Sequence, residues 1–360
     1  MLIKNIFSGL LIFFLKLFLE VKENTSRDLG NPKNILIVRQ HNQFGDLLAS
    51  VSLFRAIKET FPESKITIIL SRQNYRGVYQ NEFIDEYFLF DKTKLFNFAY
   101  FTELRTILKK KYDVCITPST VSISSTSLLL MRFLNSKIRI GPNSLDGKVN
   151  KYKFLFDRRI NLDWNQSPDS HVADFELDIV RPFNISTSEF TSSIPINDSD
   201  IKTAKAFLQS INYSKDKKLI GLHVGAGKNE NKWSLENYYK LIGRLNSKYP
   251  ATFYLTGTDA DKEEINFVKN NLDFPINKFD DNSVNELASL ISLSNLFITN
   301  DTGVMHVAGT TSTPQISIFG FTNPFRWSPL GKDKFFIRKS DFINDVTVDD
   351  VYEMCKEILI

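Results

Sequence analysis

The chain has 360 residues, 42% of them hydrophobic, which suits two domains of about 150 residues each better than a single core. Its net charge of +4 is spread along the sequence with no dense block of Lys and Arg, so nucleic acid is excluded as an expected partner. Cys115 and Cys355 stand far apart, which excludes a disulfide framework or a cysteine zinc site and is typical of a reducing cytoplasm.

Residues 1–24 form a hydrophobic N-terminal segment. Residues 6–15 are almost wholly apolar, and Lys16 interrupts the run before it resumes. The run is shorter than the ~20 apolar residues of a membrane-spanning helix, and no small-residue cleavage site of a signal peptide follows. We favour an interfacial helix at the inner face of the inner membrane, because Phe and Leu stand on every side. A helix packed on its domain and an uncleaved signal anchor are the alternatives.

The first domain is predicted over residues 31–190. Residues 34–39 are a short apolar run, typical of a buried parallel strand. Residues 46–60 carry apolar side chains at helical spacing, and residues 65–70 are the next strand. This order of strand, loop, helix and strand opens a doubly wound α/β domain. Later strands are predicted at residues 113–117 and 137–140.

The pattern restarts after a polar stretch rich in Ser, Thr, Asn and Pro, so a linker region is predicted over residues 191–217. The second domain then covers residues 218–335, and residues 336–360 form a C-terminal segment with a final helix. Strands are predicted at residues 219–224, 251–256, 296–299 and 315–319. Helices are predicted at residues 234–249, 259–271 and 302–309, with another opened by the capping box at Ser283. In two such domains ligands bind at the carboxyl ends of the strands, so the active site is expected in a central cleft.

The loop after the first strand carries a glycine and an acid, Gly45 and Asp46. Gly45 lets the backbone turn tightly, and Asp46 stands at the predicted start of the helix. One interpretation makes Asp46 the N-cap of that helix, a position that Asp fills well. The other makes it a general base that faces the cleft and accepts a proton from a hydroxyl group during group transfer.

Residues 223–228, His-Val-Gly-Ala-Gly-Lys, follow a predicted strand in the second domain. Gly225 and Gly227 allow backbone N–H groups to approach an anion. Lys228 comes next, and Lys232 lies before the following helix on the same rim. A fixed cation there stabilises the charge that grows on a departing diphosphate. The alternative is that both lysines are ordinary solvent-exposed side chains, with Lys228 the weaker candidate.

Residues 299–306, Thr-Asn-Asp-Thr-Gly-Val-Met-His, end a strand and begin a helix. The free N–H groups of the helix start, which includes Gly303, favour an anion. Thr302 adds a hydroxyl donor, and Asp301 is placed to accept hydrogen bonds from sugar hydroxyls. His306 lies one turn inside the helix and is expected to face the same ligand. A capped helix with a core histidine is the alternative.

An acidic pair, Asp259 and Asp261, opens a predicted helix. A pair of this spacing holds a metal in some sugar transferases, but acids in a first helical turn suit the helix dipole, so we favour capping and predict no metal site. Asp259 stays a candidate for contact with a ribose hydroxyl. Residues 279–283 are a candidate lining of a nucleobase pocket, with Asn282 as the contact.

The motifs resemble those of one known family when they are taken in order. They are Gly45-Asp46, Lys232-Trp233, Asn300-Asp301-Thr302-Gly303-x-Met305-His306-x-Ala308 and Phe319-Gly320-x-Thr322. In this order and spacing they resemble glycosyltransferase family 9, whose members include ADP-heptose:lipopolysaccharide heptosyltransferases. The resemblance extends over residues 34–330.

The resemblance implies a GT-B fold, with two Rossmann-like domains that face a central cleft. The first domain would bind a lipid-linked oligosaccharide acceptor and the second a nucleotide-diphosphate sugar, with no cofactor and no metal. Asp46 matches the family's catalytic base and Lys232 its phosphate-contacting lysine. The donor-binding loop matches at Asp301, Thr302, Gly303 and His306. The implied reaction transfers a heptose, inverts the anomeric centre and takes place in the cytoplasm at the inner membrane.

Two other functions fit the same motifs. A nucleotide-sugar epimerase shares the fold, but that class usually places more carboxylates and histidines in the cleft, and this chain has only four His. A non-catalytic relative would bind glycolipid or nucleotide without transfer. This second function is disfavoured, because the chain carries Asp46, Lys232 and the Asp301–His306 motif together. A Rossmann dehydrogenase is not favoured, because no Gly-x-Gly-x-x-Gly motif opens the first helix and Asp46 stands where it would repel a pyrophosphate.

Overall fold

A computed structural model describes residues 2–40, 44–280 and 283–360, with side chains of the first helix from Leu10 onward. The chain divides into two compact units, Met1–Phe190 and Thr191–Ile360. Asn282, the predicted nucleobase contact, lies outside the described residues, as does Gln43, which precedes the Gly45-Asp46 motif.

The first unit alternates strands and helices. Its strands are β1 (Asn34–Arg39), β2 (Lys65–Leu70), β3 (Glu86–Leu89), β4 (Tyr112–Ile116), β5 (Ser136–Leu145), β6 (Lys148–Val149) and β7 (Arg158–Leu162). Its helices are α1 (Leu2–Leu19), α2 (Phe44–Ala49), α3 (Val51–Thr60), α4 (Phe98–Lys109), α5 (Ser125–Phe133) and α6 (Val172–Phe175). A 3₁₀ turn, Glu176–Ile179, follows α6 directly.

The sheet of the first unit has the strand order β3-β2-β1-β4-β5, with β7 beside β5, and these pairs are all parallel. The short β6 joins β5 as an antiparallel hairpin. The order reverses between β1 and β4, and this topological switch point is where doubly wound sheets bind ligands at their carboxyl edge. The apolar run of β1 is buried on both faces, as predicted.

The helix predicted over residues 46–60 is two helices. It begins at Phe44, and the break between α2 and α3 falls at Ser50, whose hydroxyl donates to the carbonyl oxygen of Asp46 at 3.0 Å. A Ser hydroxyl that bonds back to residue i−4 competes with the regular ladder and bends a helix. Asp46 is therefore the third residue of α2 and lies inside its first turn, so the N-cap interpretation was wrong.

The second unit repeats the alternation. Its strands are β8 (Lys218–His223), β9 (Ala251–Gly257), β10 (Asn277–Asp280), β11 (Leu296–Asn300), β12 (Gln315–Ile318) and β13 (Lys334–Ile337). Its helices are α7 (Asp198–Ser210), α8 (Leu235–Lys248), α9 (Lys262–Asn270), α10 (Val284–Ser292), α11 (Gly303–Gly309), α12 (Pro324–Trp327) and α13 (Val348–Ile358). The predicted caps Ser234 and Ser283 are present, and each side chain accepts from the backbone N–H three residues on.

All neighbouring strands of this second sheet are parallel, in the order β10-β9-β8-β11-β12-β13. The two units thus share one strand order, and both are Rossmann-like α/β units. The switch point lies between β8 and β11, the strands that precede the two predicted phosphate-binding motifs. The sequence pattern therefore brings residues 224–228 and 300–303 to one sheet edge.

The range predicted as a linker, residues 191–217, contains the helix α7. A capping box between Asn197 and Asp200 begins it, and Ala204 and Leu208 bury its inner face. Thr203 bonds Glu286 of α10 at 3.0 Å, so α7 packs as part of the second unit.

Candidate functional site

Asn300, the last residue of β11, connects the two motifs of the second unit. It is completely buried, and its Nδ2 donates to the carbonyl oxygens of Val224 at 3.1 Å and Gly225 at 3.0 Å. Its Oδ1 accepts from the backbone N–H of Trp233 at 3.2 Å and from the hydroxyl of Tyr238 at 2.9 Å. One side chain thereby ties the loop after β8 and the start of α8 to the end of β11.

The glycines of the loop after β8 differ in what surrounds them. A Cβ built on Gly225 would lie 2.0 Å from Oδ1 of Asp261, whereas a Cβ on Gly227 would meet nothing within 4 Å. Gly225 is buried and Gly227 exposed. Close packing therefore requires glycine at position 225, while Gly227 is left free of contacts on the loop surface.

Asp261, and not Asp259, is the acid that turns towards this loop. Its Oδ2 accepts from the backbone N–H of Thr258 at 2.9 Å in a capping box, while Asp259 is exposed in the first turn. The capping interpretation of the acidic pair is thus the one that the geometry supports. Sequence analysis missed Asp261 as a neighbour of Gly225, because the contact joins two loops that are adjacent only in the folded sheet.

Lys232 is paired with Glu264 of α9. Its Nζ lies 2.5 Å from Oε1 of Glu264, and the two side chains are 27% and 16% exposed. The lysine is therefore held in place and only partly open to solvent. Sequence analysis missed Glu264, because the run Lys262-Glu263-Glu264 reads as an ordinary solvated helix start. An anion at this rim would compete with the Glu264 carboxylate for the ammonium group.

Asp301 lies beside the Asn300 connection. Its Oδ2 accepts from Nδ2 of Asn231 at 2.9 Å, and burial raises the pKa of its carboxyl group. A hydrogen bond from Thr322, the charge of Lys228 and the hydrogen bond from Asn231 oppose that rise. Lys228, the weaker of the two lysine candidates, thus interacts with Asp301. Thr322 belongs to the predicted Phe319-Gly320-x-Thr322 motif. Half-buried oxygens of this kind suit hydroxyl donors better than phosphate.

The start of α11 is formed as predicted, with Thr302 at the N-cap and Gly303 as the first helical residue. The hydroxyl of Thr302 makes no capping hydrogen bond, and Gly303 is exposed. His306 is part-buried, not a core residue, and its ring stands edge-on to Trp327 with the centroids 6.3 Å apart. The structure thus brings Gly225, Asp301 and Thr302 to the carboxyl edge of one sheet.

Asp46 of the first unit is held by a buried cation. Arg39, the last residue of β1, donates from Nη2 to the carbonyl oxygen of Asp46 at 3.0 Å, and the same nitrogen lies 3.8 Å from Oδ2 of Asp46. Nη2 also lies 2.6 Å from Oε1 of Glu176, in the 3₁₀ turn after α6. Asp46 is 6% exposed and Glu176 is fully enclosed. Sequence analysis missed Arg39 and Glu176, since 137 residues separate them.

The chain is similar to known proteins in both sequence and fold. The sequence profile described as glycosyltransferase family 9 (heptosyltransferase) matches residues 101–350. A lipopolysaccharide core heptosyltransferase of Haemophilus influenzae is 24% identical over 303 residues, which are 83% of this chain and 82% of the relative.

Two solved structures have the same fold. A glycosyl transferase family 9 protein from Veillonella parvula superposes with a TM-score of 0.78 at 19% identity, and the alignment covers 94% of this chain and 99% of the other. The ADP-heptose lps heptosyltransferase II of Escherichia coli superposes with a TM-score of 0.73 at 18% identity, over 91% of this chain and 98% of the other. At these identities the likeness establishes the GT-B fold.

Proposed function

Because the chain belongs to glycosyltransferase family 9, we propose that it transfers a heptose from ADP-heptose to the core of a lipopolysaccharide. The observation that carries the proposal is the set of hydrogen bonds that Asn300 makes. They join the two predicted phosphate-binding motifs at the switch point of one Rossmann-like sheet. The name of the Haemophilus influenzae relative supports the acceptor, and that of the Escherichia coli structure supports the donor. Membership of a transferase family does not favour the epimerase or the non-catalytic alternative.

The second unit is proposed to bind the donor. The diphosphate would accept hydrogen bonds from backbone N–H groups near Gly225, Gly227 and Gly303 and from the hydroxyl of Thr302. Asp301 would accept hydrogen bonds from the sugar hydroxyls. The remaining proposed donor contacts are Lys228, Asp259, Asn282 and His306.

Transfer needs two opposite charges at the reacting centre. The acceptor hydroxyl oxygen attacks the anomeric carbon, and its proton passes to the carboxylate of Asp46. The bond between that carbon and the diphosphate oxygen breaks, and ADP leaves with the electron pair. Lys232 would stabilise the charge that grows on the leaving diphosphate. A single displacement of this kind inverts the anomeric centre, and these residues carry it out with no metal.

The test is a transfer assay on the full chain. ADP-heptose, UDP-glucose and GDP-mannose are titrated calorimetrically, and each is then incubated with lipopolysaccharide truncated before its heptose, with and without EDTA. We expect ADP-heptose alone to bind, and the lipopolysaccharide to gain one heptose of inverted configuration at the same rate in EDTA. Transfer of another sugar would overturn the donor assignment. A change of configuration in free ADP-heptose without acceptor would instead indicate an epimerase.

We also propose that α1 holds the enzyme on a membrane surface, where a lipid-linked acceptor would lie. Ile12, Leu15 and Leu19 pack on the core of the first unit. The outward face is apolar and exposed, at Leu10, Leu11, Phe13, Phe14, Leu17 and Phe18. Within the described part of the chain, no helix has the length and apolarity needed to cross a bilayer. A helix with one docked face and one exposed apolar face suits the interface of a bilayer.

Changing Leu17 and Phe18 together to Glu is expected to weaken binding to vesicles of phosphatidylethanolamine and phosphatidylglycerol by roughly tenfold or more, since each buried side chain contributes about 1.5–3 kcal/mol. Both side chains are exposed, so the melting temperature should not change. Co-sedimentation measures the binding. Phe342→Glu, an equally exposed position in the second unit, is the control and should bind like the parent chain. Unchanged binding of the double variant would contradict the role of α1.

A further inference from the structure

We propose that Glu176 is a positioning residue for sugar transfer, which acts through Arg39 to fix the carboxylate of Asp46 and to keep it basic. The inference rests on the proposed function, in which Asp46 accepts the proton of the acceptor hydroxyl. It adds to that function two residues that neither the motifs nor the family resemblance singled out.

Arg39 contacts two carboxylates, and its guanidinium lies closer to one than to the other. Its Nη2 is 2.6 Å from Oε1 of Glu176 but 3.8 Å from Oδ2 of Asp46. The same nitrogen donates to the backbone carbonyl of Asp46, so the guanidinium also holds the main chain of α2. Glu176 is therefore the closer partner of the guanidinium, which contacts Asp46 through a backbone hydrogen bond and a longer ion pair.

The three side chains form a buried charged group inside the first unit, and a hydrogen bond from Ser50 also stabilises the ionised form of Glu176. Burial raises the pKa of Glu176 to about 7; the charge of Asp46 adds to that rise, and the charge of Arg39 opposes it. Most other charged side chains on the elements packed against Glu176 contact other partners. These pairs and contacts are Arg158 with Asp157, Arg159 with Glu23, Arg181 with Asp174 and Asp178, Lys58 with Asp85, and Arg55 with the carbonyl oxygen of Glu189. Arg139 donates to backbone carbonyls of Leu134 and Ser136, and Glu59, at the far end of α3, has no described partner.

This sharing has a chemical consequence for the base. A cation paired with Asp46 alone would stabilise its ionised form strongly and lower its affinity for a proton. Glu176 offers the guanidinium a second and closer carboxylate, so Arg39 stabilises the ionised form of Asp46 less than an exclusive pair would. Two carboxylates that share one cation titrate as a coupled pair. The acidic side of the pH–rate profile, its acid limb, therefore depends on the protonation of both.

The experiment is the pH dependence of kcat/KM for Glu176→Gln. Gln keeps the size but not the charge, so Arg39 turns wholly to Asp46. We expect the acid limb to move to lower pH by about one unit or more, and the plateau to fall roughly threefold to tenfold because the base is weaker. Glu176→Asp retains the carboxylate and should keep the limb of the parent enzyme. Arg39→Gln should move the limb to higher pH, because it removes the cation.

A purely structural role would change the rate without moving the limb, and that result would overturn the inference. Asp157→Asn, in a second buried Arg–Asp pair among the described residues of this unit, is the matched control and should lower only the melting temperature. Asp46→Asn is measured beside these variants. If it transfers at the parent rate, the proposed base is wrong. If it is inactive while the limb of Glu176→Gln stays in place, only the role of Glu176 is wrong.

Discussion

Asp46→Asn is expected to lower kcat for heptose transfer by about 10²- to 10⁴-fold, while the affinity for ADP-heptose stays at the parent value. Asn has the size of Asp and can still accept the contact of Arg39, but it cannot take a proton from the acceptor hydroxyl. The rate is measured in single-turnover transfer to truncated lipopolysaccharide, and donor affinity by calorimetry.

The position of Asp46 favours this outcome. It lies inside the first turn of α2 and not at the N-cap, so the change to Asn does not remove an N-cap residue. An Asn there keeps the size of the buried Asp46, and Arg39 keeps Glu176 as its closer partner, so the melting temperature should stay within a few degrees of the parent.

Asp113→Asn is the matched control at the other end of β1. Asp113 accepts from the backbone N–H groups of Lys33 and Asn34, which lead into β1, and it pairs with Lys137 at 2.7 Å. The change should lower stability and leave kcat of the folded enzyme unaltered. Equal activity of Asp46→Asn and the parent chain would remove Asp46 from the mechanism, and a loss of donor binding in that variant would give it a different role.

The fold could be predicted because its signals are local. The apolar run of β1, the helical spacing after it and the caps at Ser234 and Ser283 each depend on a few consecutive residues. Repetition of that order is enough to indicate two doubly wound units. The weaker strands β3, β10 and β13 were missed, because they are only four residues long and partly exposed.

The site could be predicted only as separate motifs. Each motif marks the end of a strand, and parallel strands bring such ends to one edge. The contacts of the site residues could not be predicted, because their partners come from other parts of the chain. These pairs are Arg39 with Glu176, Gly225 with Asp261 and Lys232 with Glu264. Spacing along the sequence carries no information about such contacts. The same limit applies to Asn300, which stood inside a predicted motif without a predicted role.

Asn300→Leu is expected to lower the free energy of unfolding by about 3–5 kcal/mol and to abolish measurable donor binding. Leu has a similar size but no polar atoms, so the carbonyls of Val224 and Gly225 lose a donor. The N–H of Trp233 loses its acceptor, and each buried group without a partner costs about 1–3 kcal/mol. Urea unfolding followed by fluorescence gives the stability, and calorimetry with ADP-heptose gives the affinity.

Asn295→Ala is the control at the opposite end of β11. Its Oδ1 accepts one backbone hydrogen bond, from Leu219 at 2.7 Å, so the variant should lose stability modestly and bind the donor normally. Asn300→Asp tests the acceptor and the donor roles of the Asn300 side chain separately, since it keeps an acceptor oxygen and loses both N–H donors. An acid enclosed by carbonyl oxygens favours its protonated form, which donates one hydrogen bond, so this variant should recover part of its stability as the pH falls. Donor binding by Asn300→Leu at the parent affinity would mean that the loops after β8 and β11 hold their shape without this side chain.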